Sequence, residues 1–172
     1  MIGEKLVALQ KVEHATIELT NLLHGRGFSK KLPRKLIQEW GNRAAEIVRK
    51  SPYRLMQFRG CGFKLCDQLY LELGGKPSKL LRQALCGWYA VASDQTGDVW
   101  FTRARVVAAI RSTIGAKADP DRAIEFAQRL GRLSPNHFGA LAVCKTNGTN
   151  GPLSEFGNRE WLAEGKRAEQ ER

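Results

Sequence analysis

The sequence lacks the residue spacing that metal sites show. Its four cysteines form no C-x-x-C pair, and its three histidines are scattered along the 172 residues. This spacing predicts no zinc or other metal site. The cysteines are instead expected to be small buried hydrophobes. They are Cys61, Cys66, Cys86 and Cys144.

A secretory signal and a long apolar run are also missing from the sequence. A membrane-spanning helix needs such an apolar run, so none is predicted. Cysteines without a pairing pattern, taken with these absences, favour a reducing compartment. We therefore expect a cytoplasmic protein with no membrane partner.

The residue patterns of common enzymes are missing too. No segment reads G-x-x-x-x-G-K-[ST], because Gly74-Gly75-Lys76 lacks the earlier glycine and the hydroxyl residue after the lysine. Serine, histidine and cysteine occur in no arrangement that suggests an activated nucleophile. Asp67 and Glu72 are interpreted as solvated helix surface. This chain alone is therefore not predicted to be an enzyme, and it has no predicted catalytic residue or cofactor.

What the chain has in excess is positive charge. Its formal net charge is +11, and residues 25–64 contain eleven basic and two acidic residues, a net charge of +9. The rest of the chain carries only +2. An anionic polymer is a plausible partner for such a chain, and residues 25–64 are where we expect it to bind.

Glycines and prolines divide the first part of the chain into short predicted helices. One or two helices reach the glycines at 25 and 27, and later helices end near Trp40, Lys50 and Leu73. Ser29 and Asn42 are the expected N-caps of the helices that follow them. This part should be entirely helical.

The second part mixes helices and strands. Ser78, Thr102 and Asp119 are expected to cap three helices, with strands at Val99–Phe101 and Phe138–Cys144. Asn-Gly turns follow at 147–148 and 150–151, and a charged helix runs from about residue 157 to the end. Helix, strand, helix, helix, strand and a flexible turn is the order of a winged-helix unit.

The stretch RGCGFK places a Gly-x-Gly turn at the start of a helix. The first amides of a helix have no partner within it and the helix dipole favours negative charge, so such a turn can bind a phosphate. Glycine permits a close approach, and basic neighbours hold the polyanion. The residues predicted to bind the phosphates of a polyanion here are Arg59, Gly60, Cys61, Gly62, Phe63 and Lys64.

A second, degenerate copy of this motif lies 33 residues earlier. Gly27 aligns with Gly60, and Lys31 aligns with Lys64. The copy departs from the pattern because Ser29 replaces the second glycine and Pro33 stands where a small residue belongs. The residues predicted to extend this binding surface are Gly27, Ser29, Lys30, Lys31 and Arg34.

Both copies resemble the helix-hairpin-helix motif, which grips a nucleic-acid backbone without reading bases. The run LLHGRGFSKKLPRKLIQEWGNRAAEIVRKSPYRLMQFRGCGFKLCDQLY is similar to the tandem helix-hairpin-helix region of RecD-like DNA helicases, notably those that work without RecB and RecC. The features that carry the resemblance are the helix ending EWG, the connector AAEIVRKSPYRL and the segment GCGFKLCDQL. The clear similarity covers roughly residues 13–75.

The resemblance implies a mainly α fold, namely a tandem helix-hairpin-helix bundle at 1–77 and a small winged-helix-like α+β unit at 78–152. Residues 153–172 would lead out of this module. It further implies a bacterial protein of DNA repair or recombination that binds single-stranded or forked DNA more readily than a specific duplex. Helicase motor domains or other repair proteins are possible partners, and ATP and Mg²⁺ would be needed only if motor domains followed. The alternatives are a protein-interaction scaffold and a winged-helix transcription regulator.

Overall fold

The computed structural model describes residues 2–94 and 100–143. The chain divides into two compact units, Met1–Gly74 and Gly75–Arg172, which we call unit 1 and unit 2. The described residues are mostly helical, with one two-stranded antiparallel sheet in unit 2. The predicted fold class, a helical bundle followed by a small α+β unit, is confirmed. None of the described helices is both long enough and apolar enough to cross a bilayer.

Unit 1 is built from four α-helices and two 3₁₀ segments. Its elements are α1 Ile2–Leu23, α2 Leu32–Trp40, the 3₁₀ turn Gly41–Arg43, α3 Ala44–Lys50, the 3₁₀ segment Pro52–Gln57 and α4 Phe63–Glu72. The four α-helices and the 3₁₀ segment Pro52–Gln57 contribute apolar side chains to one core, in which Leu19, Leu36, Val48, Leu55 and Leu69 are fully buried. Burial of these residues from five separate elements holds the short helices together, because helices of this length are marginal in isolation.

Two helix caps predicted in unit 1 are wrong. Lys31 precedes α2 and Arg43 precedes α3, and neither helix has a side-chain cap. Asn42 does not cap α3 because it lies inside the 3₁₀ turn Gly41–Arg43, which runs directly into that helix. Ser29 lies too early in the chain to cap α2. This helix begins at Leu32, two residues after the position that aligns with the start of α4.

In its described residues, unit 2 forms three α-helices, a 3₁₀ turn and a short hairpin. Its elements are α5 Leu80–Ala92, α6 Arg103–Ile114, the 3₁₀ turn Gly115–Lys117, α7 Pro120–Arg129, β1 Leu133–Pro135 and β2 Leu141–Val143. The two strands pair antiparallel with Leu133 opposite Val143. A Cβ added to Gly87 of α5 would lie 3.0 Å from Ile110 Cδ1, so glycine at this point lets α5 and α6 pack closely.

The predicted caps of α6 and α7 are confirmed, and the cap of α5 is not. Thr102 accepts a hydrogen bond from Arg105 N at 3.3 Å, and Asp119 accepts one from Arg122 N at 3.4 Å. Lys79 precedes α5 without a side-chain cap, while the carbonyl of Ser78 accepts from Gln83 Nε2 at 2.7 Å. Side-chain N-caps therefore mark the start of α6 and α7 but not of α5.

The predicted strands are shorter than expected, and one strand was missed. Phe101 forms only an isolated antiparallel bridge with Leu141, and the predicted strand at 138–144 narrows to Leu141–Val143 because residues 136–139 form the turn before it. The missed strand, β1, is three residues long and ends in Pro135, a residue that weakens any strand pattern. Val99 of the first predicted strand, the Asn-Gly turns, Cys144 and the charged helix predicted after residue 157 lie outside the described residues.

Candidate nucleic-acid interface

The loop between the 3₁₀ segment Pro52–Gln57 and α4 is held in one conformation by its backbone. Gly60 has a φ of +87°, a left-handed value that favours glycine. The N–H of Cys61 donates to Phe58 O at 3.1 Å, and the N–H of Cys66 donates to Gly62 O at 3.3 Å, which starts the helical pattern. The turn therefore delivers the chain directly onto the N-terminus of α4. We call residues 59–64 the second loop.

Gly62 has no structural need to be glycine. Its φ of −75° and ψ of 169° lie in the extended region open to any residue. A Cβ added at this position would meet nothing within 4 Å. The N–H groups of Gly60 and Gly62 have no protein acceptor among the described residues. The missing side chain therefore leaves open access to the amides at the start of α4.

Two predicted site residues point inward. Cys61 and Phe63 are buried, and Phe63 stacks on Tyr53 with ring centroids 6.2 Å apart. Burial raises the pKa of the Cys61 thiol to about 11, and burial also raises the pKa of Cys66. The Cys61 N–H is already engaged within the turn. These two side chains anchor the loop and do not line its outer surface.

The first copy of the motif repeats the turn but not the helix start. Gly27 has a φ of +85°, nearly that of Gly60. In the second loop the first helical bond comes from Cys66 N, and the residue aligned with Cys66 is Pro33, which has no N–H to donate. Helix α2 accordingly begins at Leu32, two residues later than the alignment predicts. We call residues 26–31 the first loop.

The first loop satisfies one of its own amides. Ser29 Oγ accepts a hydrogen bond from Lys31 N at 3.2 Å, where the second loop has Gly62 and an open surface. A hydroxyl that occupies an amide leaves one fewer donor for a phosphate. The two departures seen in the sequence thus both leave this copy with fewer unoccupied N–H donors than the second loop.

The first loop is also packed against α4. A Cβ added to Gly27 would lie 3.0 Å from Leu65 Cδ2. Arg26 Nε lies 2.5 Å from Glu72 Oε2, and Arg26 Nη1 donates to Leu22 O at 2.6 Å. The hydrogen bond from Arg26 lowers the pKa of Glu72. The first loop therefore packs against and supports α4, the helix that begins within the second loop.

The basic residues of unit 1 separate into two groups. Arg26, Arg43, Arg49 and Lys50 each form an ion pair with a glutamate. A second group is exposed and makes no ion pair with another described residue; it consists of Lys30, Lys31, Arg34, Lys35 and Arg59. Lys64 is also exposed. Within residues 25–64, the five side chains of the second group have no carboxylate partner among the described residues.

Lys35 was not among the predicted site residues. Its charge acts to lower the pKa of the Cys61 thiol against the larger effect of burial, so Lys35 lies near the second loop. The sequence contained a signal for it, since Lys31 and Lys35 are four residues apart and therefore neighbours on one face of a helix. Helix α2 thus brings positive charge from the first copy to the loop of the second.

The interpretation of Asp67 as solvated surface is wrong. Asp67 is buried and its Oδ1 accepts a hydrogen bond from Tyr53 Oη at 2.6 Å. The pair ties α4 to the 3₁₀ segment on the other side of the second loop. Glu72 is exposed, as expected, and pairs with Arg26. Asp67 is therefore a structural residue of the second copy.

Residues 13–100 match the family described as the ATP-dependent RecD2 DNA helicase HHH domain. The matched stretch covers about half of the chain and contains both loops. Comparison with curated proteins gave no match.

Proposed function

The chain belongs to the family of ATP-dependent RecD2 DNA helicase HHH domains, and we propose that unit 1 is a DNA-binding module that grips the phosphate backbone through its second loop. Backbone amides at a helix N-terminus recognise phosphate and carry no base information, so binding would be independent of sequence. Within RecD-like 5′-to-3′ helicases such a module would hold DNA for a motor, and ATP and Mg²⁺ would act only there.

Gly62 is the observation that carries this proposal. A glycine that neither φ nor packing requires leaves an open surface where the amides of the second loop emerge. Arg59 and Lys64 flank it in sequence, and Lys35 lies near the loop. A phosphate could thus meet positive charge and the unoccupied N–H groups of Gly60 and Gly62 at one place. The first loop, with its occupied amide and packed glycine, would serve mainly as support.

The decisive experiment is a Gly62→Val substitution measured across a salt series. Labelled single-stranded, duplex and forked DNA would be titrated with the wild-type chain and the variant. We expect the variant to lose roughly tenfold or more in affinity and about one phosphate contact, a change of about 0.7 in the logarithmic salt slope on single strands. Valine suits the extended backbone at this position but is a poorer N-cap than glycine, so we expect a loss of at most about 1 kcal/mol in unfolding free energy and a folded variant.

Gly3→Val provides a matched control, because Gly3 also has open space around its Cβ position and lies in α1. This variant should bind DNA as the wild type does. If Gly62→Val binds DNA with unchanged affinity and slope, the second loop is not a phosphate site and the proposal fails.

An interaction scaffold is the second candidate, and α1 favours it. The first three turns of α1 expose a set of large apolar side chains, namely Ile2, Leu6, Val7, Leu9 and Val12. Exposed apolar patches of this kind mark protein interfaces. On this alternative, DNA binding would be weak, purely electrostatic and indifferent to the Gly62 change. The partner would be a helicase motor or another repair protein.

A winged-helix interpretation of unit 2 is supported by the order of its elements. Helix α5, the bridge at Phe101, α6, α7, β1 and β2 follow the order that a winged helix has, with β1 and β2 as the wing. A transcription regulator built on this unit would show strong preference for one duplex sequence. Competition between unrelated duplexes in the same titration tests that alternative.

A further inference from the structure

The hairpin of unit 2 ends in a turn that is fixed by four hydrogen bonds. Asn136 N donates to Ala140 O at 2.9 Å, and Gly139 N donates to Asn136 O at 3.0 Å. The side-chain Oδ1 of Asn136 accepts from Phe138 N and from Ala140 N, each at 2.9 Å. Gly139 takes a φ of +76°. The turn is therefore a preorganised structure and has little freedom to rearrange.

This turn displays an aromatic ring. Phe138 is 95% exposed, the largest exposure of any large apolar side chain among the described residues. Single exposed apolar residues are ordinary on protein surfaces. Here, however, the residue occupies a tip position at which turn chemistry favours small polar side chains, and its side chain contributes nothing to the core. The fold itself gives no reason for phenylalanine at this position.

The base of the hairpin is rigid as well. Leu133 of β1 and Leu141 of β2 are buried in the core of unit 2, and Leu141 also exchanges both backbone hydrogen bonds with Phe101. A ring carried on a fixed turn above a buried base loses little conformational freedom when it binds a ligand. Such a site can contribute most of its contact energy to affinity.

The net charge of the described part of unit 2 favours an anionic polymer as its ligand. The described residues of unit 2, 75–94 and 100–143, contain ten basic and four acidic residues, a net charge of +6. Arg111, Lys117 and Arg129 are exposed and make no ion pair with another described residue. An exposed aromatic ring on a basic unit is the combination that binds single-stranded nucleic acid, through base stacking and backbone attraction.

We propose that Phe138 stacks on an unpaired base of single-stranded DNA, so that unit 2 holds a contact of its own. This inference rests on the proposed DNA-binding function and names a second site for it. A ring at the tip of a narrow turn reaches the face of a base only where the base is not stacked within a duplex. The contact is therefore expected on single strands and on the single-stranded arms of forks.

The test compares Phe138→Ala, Phe138→Leu and Phe138→Tyr in the full chain, with an oligothymidylate of about 20 nucleotides as probe. Loss of one base stack should weaken binding by Phe138→Ala roughly tenfold, and Phe138→Leu should be similarly weak. Phe138→Tyr should retain wild-type affinity. The salt slope should stay unchanged in all three, because no phosphate contact is removed.

A second readout uses Phe138→Trp. The added indole should be quenched when the oligothymidylate binds, beyond any quenching of the native tryptophans in the wild type. Because Phe138 is exposed, none of these substitutions should lower the melting temperature.

Each outcome separates this inference from the function on which it rests. If Phe138→Ala binds as the wild type does while Gly62→Val is impaired, the phosphate site is supported and the stacking site is overturned. If Phe138→Ala loses affinity as expected but Phe138→Leu keeps the affinity of the wild type, the contact is apolar and does not depend on stacking. This result would also overturn the stacking site. If the wild type fails to bind DNA at all, the proposed function and this inference both fail.

Discussion

The first and second loops have the same backbone turn in different surroundings. Gly27 and Gly60 lie at the same point of each loop with nearly equal positive φ. The first loop rests on Leu65 and is tied by Arg26 to Glu72, whereas the second loop has open space around Gly60 and Gly62. The repeated sequence thus produces the same turn twice, while packing against α4 decides which of the two loops stays accessible to solvent.

The largest expected difference between the loops is in stability. Gly27→Ala and Gly60→Ala both force a left-handed φ on a residue with a Cβ, which costs on the order of 1–2 kcal/mol. Only at Gly27 does the new methyl group also crowd Leu65. We therefore expect Gly27→Ala to lose about 2–3 kcal/mol of unfolding free energy and Gly60→Ala about 1–2 kcal/mol. Urea unfolding would measure both, and an equal loss would contradict the packing difference.

The aligned residues Arg34 and Asp67 should respond differently as well. Asp67→Ala removes a buried acceptor of the Tyr53 hydroxyl, so we expect a loss of about 1–3 kcal/mol in unfolding free energy. Arg34 is exposed and unpaired among the described residues, so Arg34→Ala should change stability by less than about 0.5 kcal/mol. Arg34→Ala should instead weaken DNA binding. A stable Asp67→Ala variant would refute the structural role given to this carboxylate.

Arg26 and Arg59 are also aligned, and only one of them has a carboxylate partner. Arg59→Ala should weaken DNA binding and reduce the salt slope on single strands by about 0.7, because one phosphate contact is lost. Arg26→Ala should leave the slope unchanged and lower unfolding free energy by up to about 1 kcal/mol, the usual range for a surface ion pair. Anisotropy titrations paired with urea unfolding would distinguish the two arginines. The reverse assignment of effects would contradict the comparison.

The smallest expected effect is a gain. The double variant Ser29→Gly and Pro33→Ala gives the first loop the features of the second, since it frees the Lys31 amide and restores an N–H at the start of α2. We expect the salt slope on single strands to steepen by up to about 0.7, one added phosphate contact. Each single variant should give less than the pair. An unchanged slope would mean that packing against α4 alone keeps this loop from binding.

The resemblance to RecD-like helicases is confirmed for the helix-hairpin-helix region by the match at residues 13–100. That resemblance gave no indication of Lys35, whose charge acts on the Cys61 thiol of the second loop from the first copy. It also gave no indication of the Phe138 turn, because β1 was not predicted. The predicted domain boundaries, the DNA-binding residues, the cytoplasmic location and the winged-helix interpretation remain predictions.

Charge shows most directly how composition can mislead. Counting along the sequence placed nearly all the excess charge in residues 25–64, with only +2 elsewhere. The described part of unit 2 nevertheless carries +6, offset in the count by a net −1 from residues 1–24, −2 from Asp67 and Glu72 of α4, and −1 from Asp98. A net charge summed over a stretch of sequence does not show whether its basic and acidic residues lie in the same folded unit.

By itself the sequence determined where the chain turns and where helices end. Glycines at 27, 41, 60, 74 and 115 all take positive φ, and Thr102 and Asp119 cap their helices, because backbone sterics and hydrogen bonds between near neighbours set these features. Only the tertiary structure decided which arginine is paired, that Asp67 is buried and that Gly62 is open. Those properties depend on distances between residues far apart in the chain, which local chemistry does not fix.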